Sequence, residues 1–269
     1  MIAYLFDIDG VLTDPVEKRV TEPELFNALH TLLQQGDFVC FNTGRSITWI
    51  IERVINPFFD HVEQKELLKD VIAIAEKGGT WLTFDGEGAG TKEKDEALMV
   101  SSALREHVKH LVEKEYSDAM FFDTTKETMI SVEMDDGFDL ATFHIRQQKF
   151  VKEVEKILAQ TKFLKKYKID PSTISTDIEE KHVGKALGAK RFLTFLKARY
   201  LTAQQFFCFG DSNTDFEMAD YLAVKGNEVT FVYTGDKEKL GEINKAYPVI
   251  FEEGYSQGTL RYLASHVTE

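Results

Sequence analysis

Cysteine, basic residues and long apolar runs are all scarce in this chain of 269 residues. The two cysteines, Cys40 and Cys208, each lie in an apolar run typical of a buried strand, which argues against a disulfide framework or a cysteine metal site. No apolar run has the length of a membrane span, and the first residues lack the basic and apolar pattern of a signal peptide. We therefore expect a cytoplasmic protein that does not bind membranes.

Positive charge is in deficit, with 32 Lys and Arg residues against 45 Asp and Glu residues and a net charge of −13. A nucleic-acid-binding surface would need a basic stripe, so the composition argues against nucleic acid as a partner. An acidic chain can still bind phosphorylated small molecules, because a metal ion and helix N-termini reverse the local field. The 43% hydrophobic content is enough for one large core or two modest domains.

The first part of the chain alternates between apolar runs and amphipathic stretches. Residues 2–6, 37–44 and 70–79 predict strands, and residues 22–36 and 46–55 predict the helices between them. Strand, helix, strand, helix, strand is the beginning of a doubly wound parallel sheet. The sequence therefore indicates the α/β fold class.

The middle of the chain follows another pattern. The turn-rich stretch "DGEGAG", residues 85–90, predicts a linker, and the order after it is helix, two strands, helix, two strands. Alternation of helices with single strands resumes after about residue 180. We therefore expect a core of residues 1–85 and 181–269, with residues 86–180 inserted as a small α+β domain.

Closely spaced carboxylates follow the first predicted strand, in "LFDIDGVLTD". Asp7 and Asp9 are two positions apart, so in extended chain their side chains point the same way. Two like charges on one face repel each other, and a fold built only for stability would avoid them. A bound metal ion is the simplest explanation for this arrangement.

Two further predicted strands also end in polar residues. In "FNTGRS", the Thr43 hydroxyl and the Gly44 N–H suit a phosphate oxygen, although Thr-Gly also closes many ordinary turns. In "FGDSNTD", Asp211 and Asp215 face one point if the chain turns into a helix between them. A helix N-cap at Asp211 or Ser212 would explain one of these carboxylates and leave the other unexplained.

The three motifs, "DIDGVLTD", "FNTG" and "GDSNTD", occur in this order, each after a buried strand. Together they resemble the haloacid dehalogenase superfamily of aspartate-nucleophile phosphatases, and the resemblance covers essentially the whole chain. It implies a Rossmann-like core with an inserted α+β cap domain. The insertion is similar to the larger cap type of the Cof-like, sucrose-phosphatase and mannosyl-3-phosphoglycerate phosphatase branches.

The resemblance also implies catalytic and metal-binding roles. Asp7 would attack phosphorus and form an aspartyl-phosphate, and Asp9 would protonate the leaving oxygen and then activate water. Mg²⁺ would be held by Asp7, the backbone carbonyl of Asp9 and Asp211, with Asp215 completing or orienting the site. On this interpretation the metal makes the opening carboxylate pair tolerable.

Phosphate binding is implied for Thr43, Gly44 and one lysine. Lys181, Lys185 and Lys190 all lie near the position at which the superfamily places that lysine. The helical apolar pattern after Lys185 matches the superfamily, whereas Lys190 has the more usual distance from the last carboxylate motif. We predict that Lys185 is the phosphate-binding lysine.

The chain departs from the superfamily pattern after the third strand, where "EKG" (Glu76 to Gly78) stands in place of the frequent Glu-Asn-Gly. Lys77 would either bind an anionic part of the substrate or be solvated. Arg45, after the Thr-Gly pair, would contact substrate or pair with an acidic neighbour. Thr214 stands where Asn is common before the last aspartate. Neither of the two departures, at Lys77 and at Thr214, removes a catalytic group.

The sequence therefore predicts a Mg²⁺-dependent phosphatase whose partner is a small phosphorylated metabolite, most simply a sugar phosphate. A phosphomutase that uses the same aspartyl-phosphate is the alternative, because the phosphomannomutase branch has the larger cap. A phosphorylatable receiver domain also groups acidic residues at strand ends. Receiver domains are much shorter than this chain and lack the Asp-x-Asp-Gly motif that begins at Asp7.

Overall fold

The structure is a computed structural model that describes residues 1–161 and 163–266. The chain forms two compact units. The larger unit contains Met1–Glu93 and the chain from Gly184 onward, and the smaller unit is Lys94–Val183. No helix among the described residues is both long and apolar enough to cross a membrane.

The strands and α-helices of the described residues are numbered in chain order. The strands are β1 (Ile2–Phe6), β2 (Phe38–Asn42), β3 (Val71–Ala75), β4 (Thr80–Phe84), β5 (Gly90–Lys94), β6 (Met120–Phe122), β7 (Ile130–Met134), β8 (Tyr167–Pro171), β9 (Ser175–Glu180), β10 (Gln205–Gly210), β11 (Val229–Tyr233) and β12 (Val249–Phe251). The α-helices are α1 (Glu24–Gln34), α2 (Ile47–Ile50), α3 (Asn56–His61), α4 (Ser102–Glu115), α5 (Leu140–Gln160), α6 (Lys185–Ala198), α7 (Phe216–Val224) and α8 (Ser256–His266).

The larger unit is built on a sheet with the strand order β12-β11-β10-β1-β2-β3-β4-β5. The six strands from β12 to β3 run parallel, and β4 is antiparallel to β3. Two apolar clusters cover the two faces of this sheet, one including α1 and α8 and the other including α6 and α7. The predicted α/β class with a large parallel sheet is therefore confirmed.

Strand β1 lies at the centre of the sheet, between β10 and β2. Its side chains alternate between the two apolar clusters, with Tyr4 and Phe6 in one and Ala3 and Leu5 in the other. The ring of Phe6 stacks on that of Phe209 in β10, with centroids 4.6 Å apart. Burial on both faces is typical of a central parallel strand and explains its continuous apolar sequence.

The stretch from Asp85 to Gly90, which the sequence suggested as a linker, forms the turn between β4 and β5 and ends at the first residue of β5. The Asp85 N–H donates to the Ala89 carbonyl, and the Asp85 carboxylate accepts from the Ala89 N–H. Strand β5 returns to the edge of the large sheet. The smaller unit accordingly begins at Lys94 and ends at Val183, whereas the predicted insertion was residues 86–180.

The helix predicted at residues 46–55 extends further than expected. It consists of α2, a π-helical segment at Ile51–Ile55 and α3, which ends at His61. Ser46 caps its N-terminus, because its hydroxyl accepts the Trp49 N–H at 3.3 Å.

The smaller unit contains an antiparallel sheet with the order β6-β7-β9-β8. Apolar side chains of this sheet, including Ile130, Val132 and Ile178, form one buried cluster with residues of α4 and α5 such as Val108 and Phe150. The order of its elements along the chain is the predicted one of helix, two strands, helix, two strands.

The aromatic stack beneath the centre of the sheet provides a test of this core. Truncation of the fully buried Phe209 to Ala removes its contacts with Phe6 and Tyr262, so we expect the free energy of unfolding to fall by about 3–5 kcal/mol. Val224→Ala on the exposed end of α7 should change it by less than about 0.5 kcal/mol. Urea denaturation followed by circular dichroism measures both, and a Phe209→Ala protein as stable as wild type would contradict the packing described.

Candidate active site

Asp7 is the first residue after β1 and lies at the carboxyl end of the strand. Its N–H continues the pairing with β10 by donating to the Phe209 carbonyl at 3.0 Å. Its side chain is buried, and Oδ1 accepts the Ile8 N–H at 2.7 Å. The backbone therefore fixes the carboxylate at the edge of the sheet where ligands bind in open α/β folds.

Lys185 is the first residue of α6, and its buried ammonium group contacts three oxygens. Nζ lies 2.5 Å from Asp7 Oδ1 and 2.9 Å from Asp215 Oδ1, and it donates to the Asn42 carbonyl at 2.8 Å. Burial by itself lowers the pKa of Lys185, but Asp215 and Asp7 outweigh that effect and raise the pKa above the ordinary value. The ammonium is therefore charged. Among the three candidate lysines, Lys185 is the one beside Asp7, and Lys190 is exposed on α6.

Asp215 is fully buried, and its two oxygens have different partners. Oδ1 faces Lys185, whereas Oδ2 accepts the backbone N–H and the hydroxyl of Ser212 at 3.0 and 2.7 Å. Ser212 is the N-cap of the turn that leads into α7, so Asp215 both closes that turn and reaches the site. The N-cap interpretation of this motif thus applies to Ser212, and Asp215 completes the cap through Oδ2 while its Oδ1 faces the site.

Asp7, Asp211 and Asp215 form one acidic cluster, because each offers a carboxylate oxygen within 4.8 Å of the others. Burial, followed by the charge of Asp215, raises the pKa of Asp211 from 3.8 to about 7. Burial also raises the pKa of Asp7 well above its ordinary range, and Lys185 opposes that rise only in part. When all three carboxylates are ionised, the one ammonium leaves two negative charges uncompensated, so the donor set fits a divalent cation with oxygen ligands.

Gly10 allows Asp211 to approach the first motif. Its φ of +71° lies in the left-handed region, and a Cβ at this position would lie 2.4 Å from Asp211 Oδ2. A larger residue would therefore displace the carboxylate as well as strain the turn. The glycine of the "DIDG" motif is explained by this close approach.

The Asp9 carboxylate is not part of the acidic cluster. Both of its oxygens accept from Arg45, which donates from Nε and from a terminal nitrogen at 2.9 Å each. The guanidinium also lies over the Trp49 ring, 4.8 Å from its centroid. Of the two roles considered for Arg45, the structure shows the pairing with an acidic neighbour. A bidentate pair of this kind fixes the direction of the Asp9 carboxylate.

Thr43 and Gly44 follow β2, which lies directly beside β1. Thr43 is buried, and its hydroxyl accepts the Arg45 N–H at 3.1 Å. Its backbone N–H donates to the Ile74 carbonyl, and its carbonyl accepts the Lys77 N–H at 3.0 Å. The loop is held by β3 and by the turn after it, and its role in phosphate binding stays a prediction.

Two residues that sequence reasoning did not single out help to build the site. The buried Asn42 side chain donates to the Lys185 carbonyl at 3.0 Å and so ties β2 to the first turn of α6. The fully buried Thr234 hydroxyl, after β11, donates to the Gly10 carbonyl at 3.1 Å. Asn42 lies inside the "FNTG" motif, and its position as a polar residue at the end of a buried strand could have marked it as part of the site.

No protein-family model and no curated protein matches the sequence. Solved structures do match. The trehalose-6-phosphate phosphatase C-terminal domain of C. albicans has a TM-score of 0.70 at 17% identity, with 98% of this chain and 91% of that chain covered. The Aspergillus fumigatus trehalose-6-phosphate phosphatase has a TM-score of 0.57 at 16% identity, with 98% of this chain and 91% of that chain covered. ATP-bound Plasmodium falciparum IMP-nucleotidase has a TM-score of 0.62 at 14% identity, with 100% of this chain and 61% of that chain covered. The chain therefore shares the fold of these proteins.

The raised pKa of Asp211 predicts that cation binding depends on pH. Below about pH 7 a cation must displace a proton from Asp211, so Mg²⁺ should bind about tenfold more tightly at pH 8 than at pH 6. Without a cation, the folded protein holds the Asp211 proton more tightly than the unfolded chain does, because its pKa is higher in the folded state. The free energy of unfolding should therefore fall as the pH rises from about 4 to about 7. Mg²⁺ should therefore raise the melting temperature of chelator-treated protein more at pH 8 than at pH 6.

Thermal melts with increasing Mg²⁺ at both pH values measure this effect. Asp211→Asn should abolish the Mg²⁺-dependent shift, whereas Asp60→Asn, at an exposed carboxylate of α3, should leave it unchanged. Equal Mg²⁺ affinity at pH 6 and pH 8 would contradict the assignment of Asp211 as a proton-linked ligand.

Proposed function

We propose that this chain is a Mg²⁺-dependent phosphatase of the haloacid dehalogenase superfamily, which hydrolyses a small phosphorylated metabolite through an aspartyl-phosphate. One observation carries the proposal: the buried Asp7 carboxylate lies 2.5 Å from the Lys185 ammonium and beside two further aspartates. The three quoted sequence motifs and the fold shared with trehalose-6-phosphate phosphatases support it.

Mg²⁺ would be held by Asp7, Asp211 and the backbone carbonyl of Asp9, and its charge would offset that of the phosphoryl group and the carboxylates. Asp215 suits an orienting role, because its two oxygens are already engaged by Lys185 and Ser212. Thr43, the Gly44 N–H and Lys185 would bind the phosphoryl oxygens. Phosphoryl transfer depends mainly on such positioning and charge neutralisation.

Asp7 is the nucleophile on this proposal. A carboxylate oxygen of Asp7 forms a bond to phosphorus as the bond between phosphorus and the ester oxygen breaks, and Asp9 gives its proton to that leaving oxygen. Asp9 then takes a proton from water, and the water oxygen bonds to phosphorus as the bond from phosphorus to the Asp7 oxygen breaks, which releases inorganic phosphate and restores the Asp7 carboxylate. Arg45 pairs with both oxygens of the Asp9 carboxylate, which orients Asp9 as the base of the second step, and for the first step one of these two contacts must give way to the proton.

A sugar phosphate is the proposed substrate class. The trehalose-6-phosphate phosphatases among the structural neighbours support it, while the IMP-nucleotidase among them makes a nucleotide the first competitor to test. We also propose that the smaller unit, Lys94–Val183, is the inserted cap of this superfamily. Its order of helices and strands supports this assignment.

A phosphatase assay tests the proposal. The protein should release phosphate from p-nitrophenyl phosphate with Mg²⁺, and a panel of trehalose 6-phosphate, glucose 6-phosphate and IMP ranks the substrate classes. EDTA should abolish turnover, and Mg²⁺ should restore it. Turnover that survives rigorous metal removal would reject the metal role, and a requirement for a bisphosphate activator would favour the phosphomutase alternative.

The two catalytic aspartates should behave differently when they are replaced. Asp7→Asn removes the nucleophile, so no covalent intermediate should form. Asp9→Asn keeps the nucleophile but loses the acid and base, and turnover of a sugar phosphate should fall by about 10²–10⁴. An activated phosphoryl donor such as acetyl phosphate should still phosphorylate Asp7 in this variant, and the aspartyl-phosphate should accumulate.

Mass spectrometry of the peptide that contains Asp7 detects the phosphorylated residue. Asp14→Asn is the matched control, because Asp14 lies in the same motif but its carboxylate accepts backbone N–H groups of the following turn. Near-native turnover of Asp7→Asn, or phosphorylation of Asp211 in place of Asp7, would show that the assigned roles are wrong.

A further inference from the structure

The turn after β3 has an unusual backbone. Glu76, Lys77 and Gly78 are three consecutive residues in the left-handed region, with φ of 49°, 53° and 95°. Glycine adopts this conformation without strain, and Asn adopts it far more readily than Lys or Glu do. The superfamily pattern has Asn where this chain has Lys77, so the chain holds a lysine in a conformation that disfavours it. Strain of this kind often marks a functional position.

Hydrogen bonds fix this turn against the site on two sides. The Glu76 N–H donates to the Arg45 carbonyl at 2.9 Å, and the Lys77 N–H donates to the Thr43 carbonyl at 3.0 Å. On the other side, the Lys77 carbonyl accepts the N–H of Gly184, the residue before Lys185, at 3.0 Å. Lys77 therefore bridges the predicted phosphate loop and the start of α6.

The Lys77 side chain covers the glycine of that loop. Its Cγ and Cε lie 3.8 and 3.7 Å from the position that a Cβ on Gly44 would occupy. Nζ is bonded to Cε, so the ammonium group must lie beside the loop as well. The side chain is half-buried, with its aliphatic part against the loop.

The transferred phosphoryl group already has a dedicated cation from the protein in Lys185, whose ammonium is buried against Asp7. A second ammonium beside Gly44 is additional to what a simple phosphomonoester needs. Its placement over the phosphate loop suits an anionic group that lies a few bonds from the ester phosphate, because lysine binds such a group as a point charge.

We propose that Lys77 is a specificity-determining residue that selects phosphate esters carrying a second anionic group, a carboxylate or another phosphate, close to the ester. The inference rests on the proposed phosphatase function and narrows its substrate class. It assigns Lys77 to substrate binding, in place of the solvated role.

A matched pair of substrates tests this inference. 3-Phosphoglycerate and glycerol 3-phosphate differ in a carboxylate against a hydroxymethyl group. Wild type should hydrolyse 3-phosphoglycerate with a kcat/KM about tenfold or more above that for glycerol 3-phosphate. Lys77→Met keeps the aliphatic contact with Gly44 and removes the charge, so it should lose this preference, mainly through a higher KM for 3-phosphoglycerate. Lys77→Arg should restore much of the preference.

One control variant and one further substrate pair separate the outcomes. Lys190→Met, at an exposed lysine of α6, should leave both substrates unchanged. Ethylene glycol bisphosphate against ethylene glycol monophosphate tests a nearby phosphate as the second anion. Equal losses on both members of a pair in Lys77→Met would assign Lys77 to the transferred phosphoryl group and overturn the proposal, as would no effect on either. Turnover of p-nitrophenyl phosphate by wild type tests the phosphatase function separately, so its failure is distinguishable from failure of the lysine assignment.

Discussion

The rest of the site depends on the contacts of the buried Lys185 ammonium with two carboxylates. The ammonium lies between Asp7 and Asp215 in a region where an unpaired charge costs several kcal/mol. Lys185 compensates one of the three clustered carboxylates, and burial, with the charges of the neighbouring carboxylates, raises the pKa values of Asp7 and Asp211, so all three cannot be ionised without a cost unless a further cation is present. The protein alone is therefore electrostatically incomplete at this point. On the proposed function, a divalent cation would supply the missing charge before a phosphorylated ligand approaches.

The position of Lys185 imposes sequence choices on residues around it. The Asn42 side chain extends from β2 to the Lys185 carbonyl. A Cβ on Gly188 would lie 1.9 Å from Oδ1 of Asn42. Gly188 lies within α6, where glycine costs about 1 kcal/mol relative to alanine. The helix tolerates that cost because the glycine admits the amide that holds its first turn against the sheet. Gly188 thus lowers the intrinsic stability of α6 but allows the packing that fixes the position of Lys185, its first residue.

Sequence reasoning predicted the parts of the molecule that local patterns encode. Buried parallel strands are continuous apolar runs, so β1, β2 and β10, and the polar residues at their ends, were recognisable. Strand β5 was missed because "GTKEK" is exposed along its whole length and shows no alternation of apolar and polar residues. The pairing of Arg45 with Asp9 was left open, since nothing local distinguishes an arginine that binds substrate from one that orients a carboxylate.

Topology explains why the insertion and the site are adjacent along the chain. The connection from β1 leads to β2 on one side, while β10 lies on the other, so Asp7 lies at the switch point where a crevice opens at the carboxyl ends of the strands. The smaller unit is inserted after the edge strand β5, which leaves the strands around β1 uninterrupted. The chain returns from it at Val183, two residues before Lys185. The Gly184 N–H bonded to the Lys77 carbonyl fixes that return, so the same turn that carries Lys77 also fixes the start of α6, where Lys185 contacts Asp7.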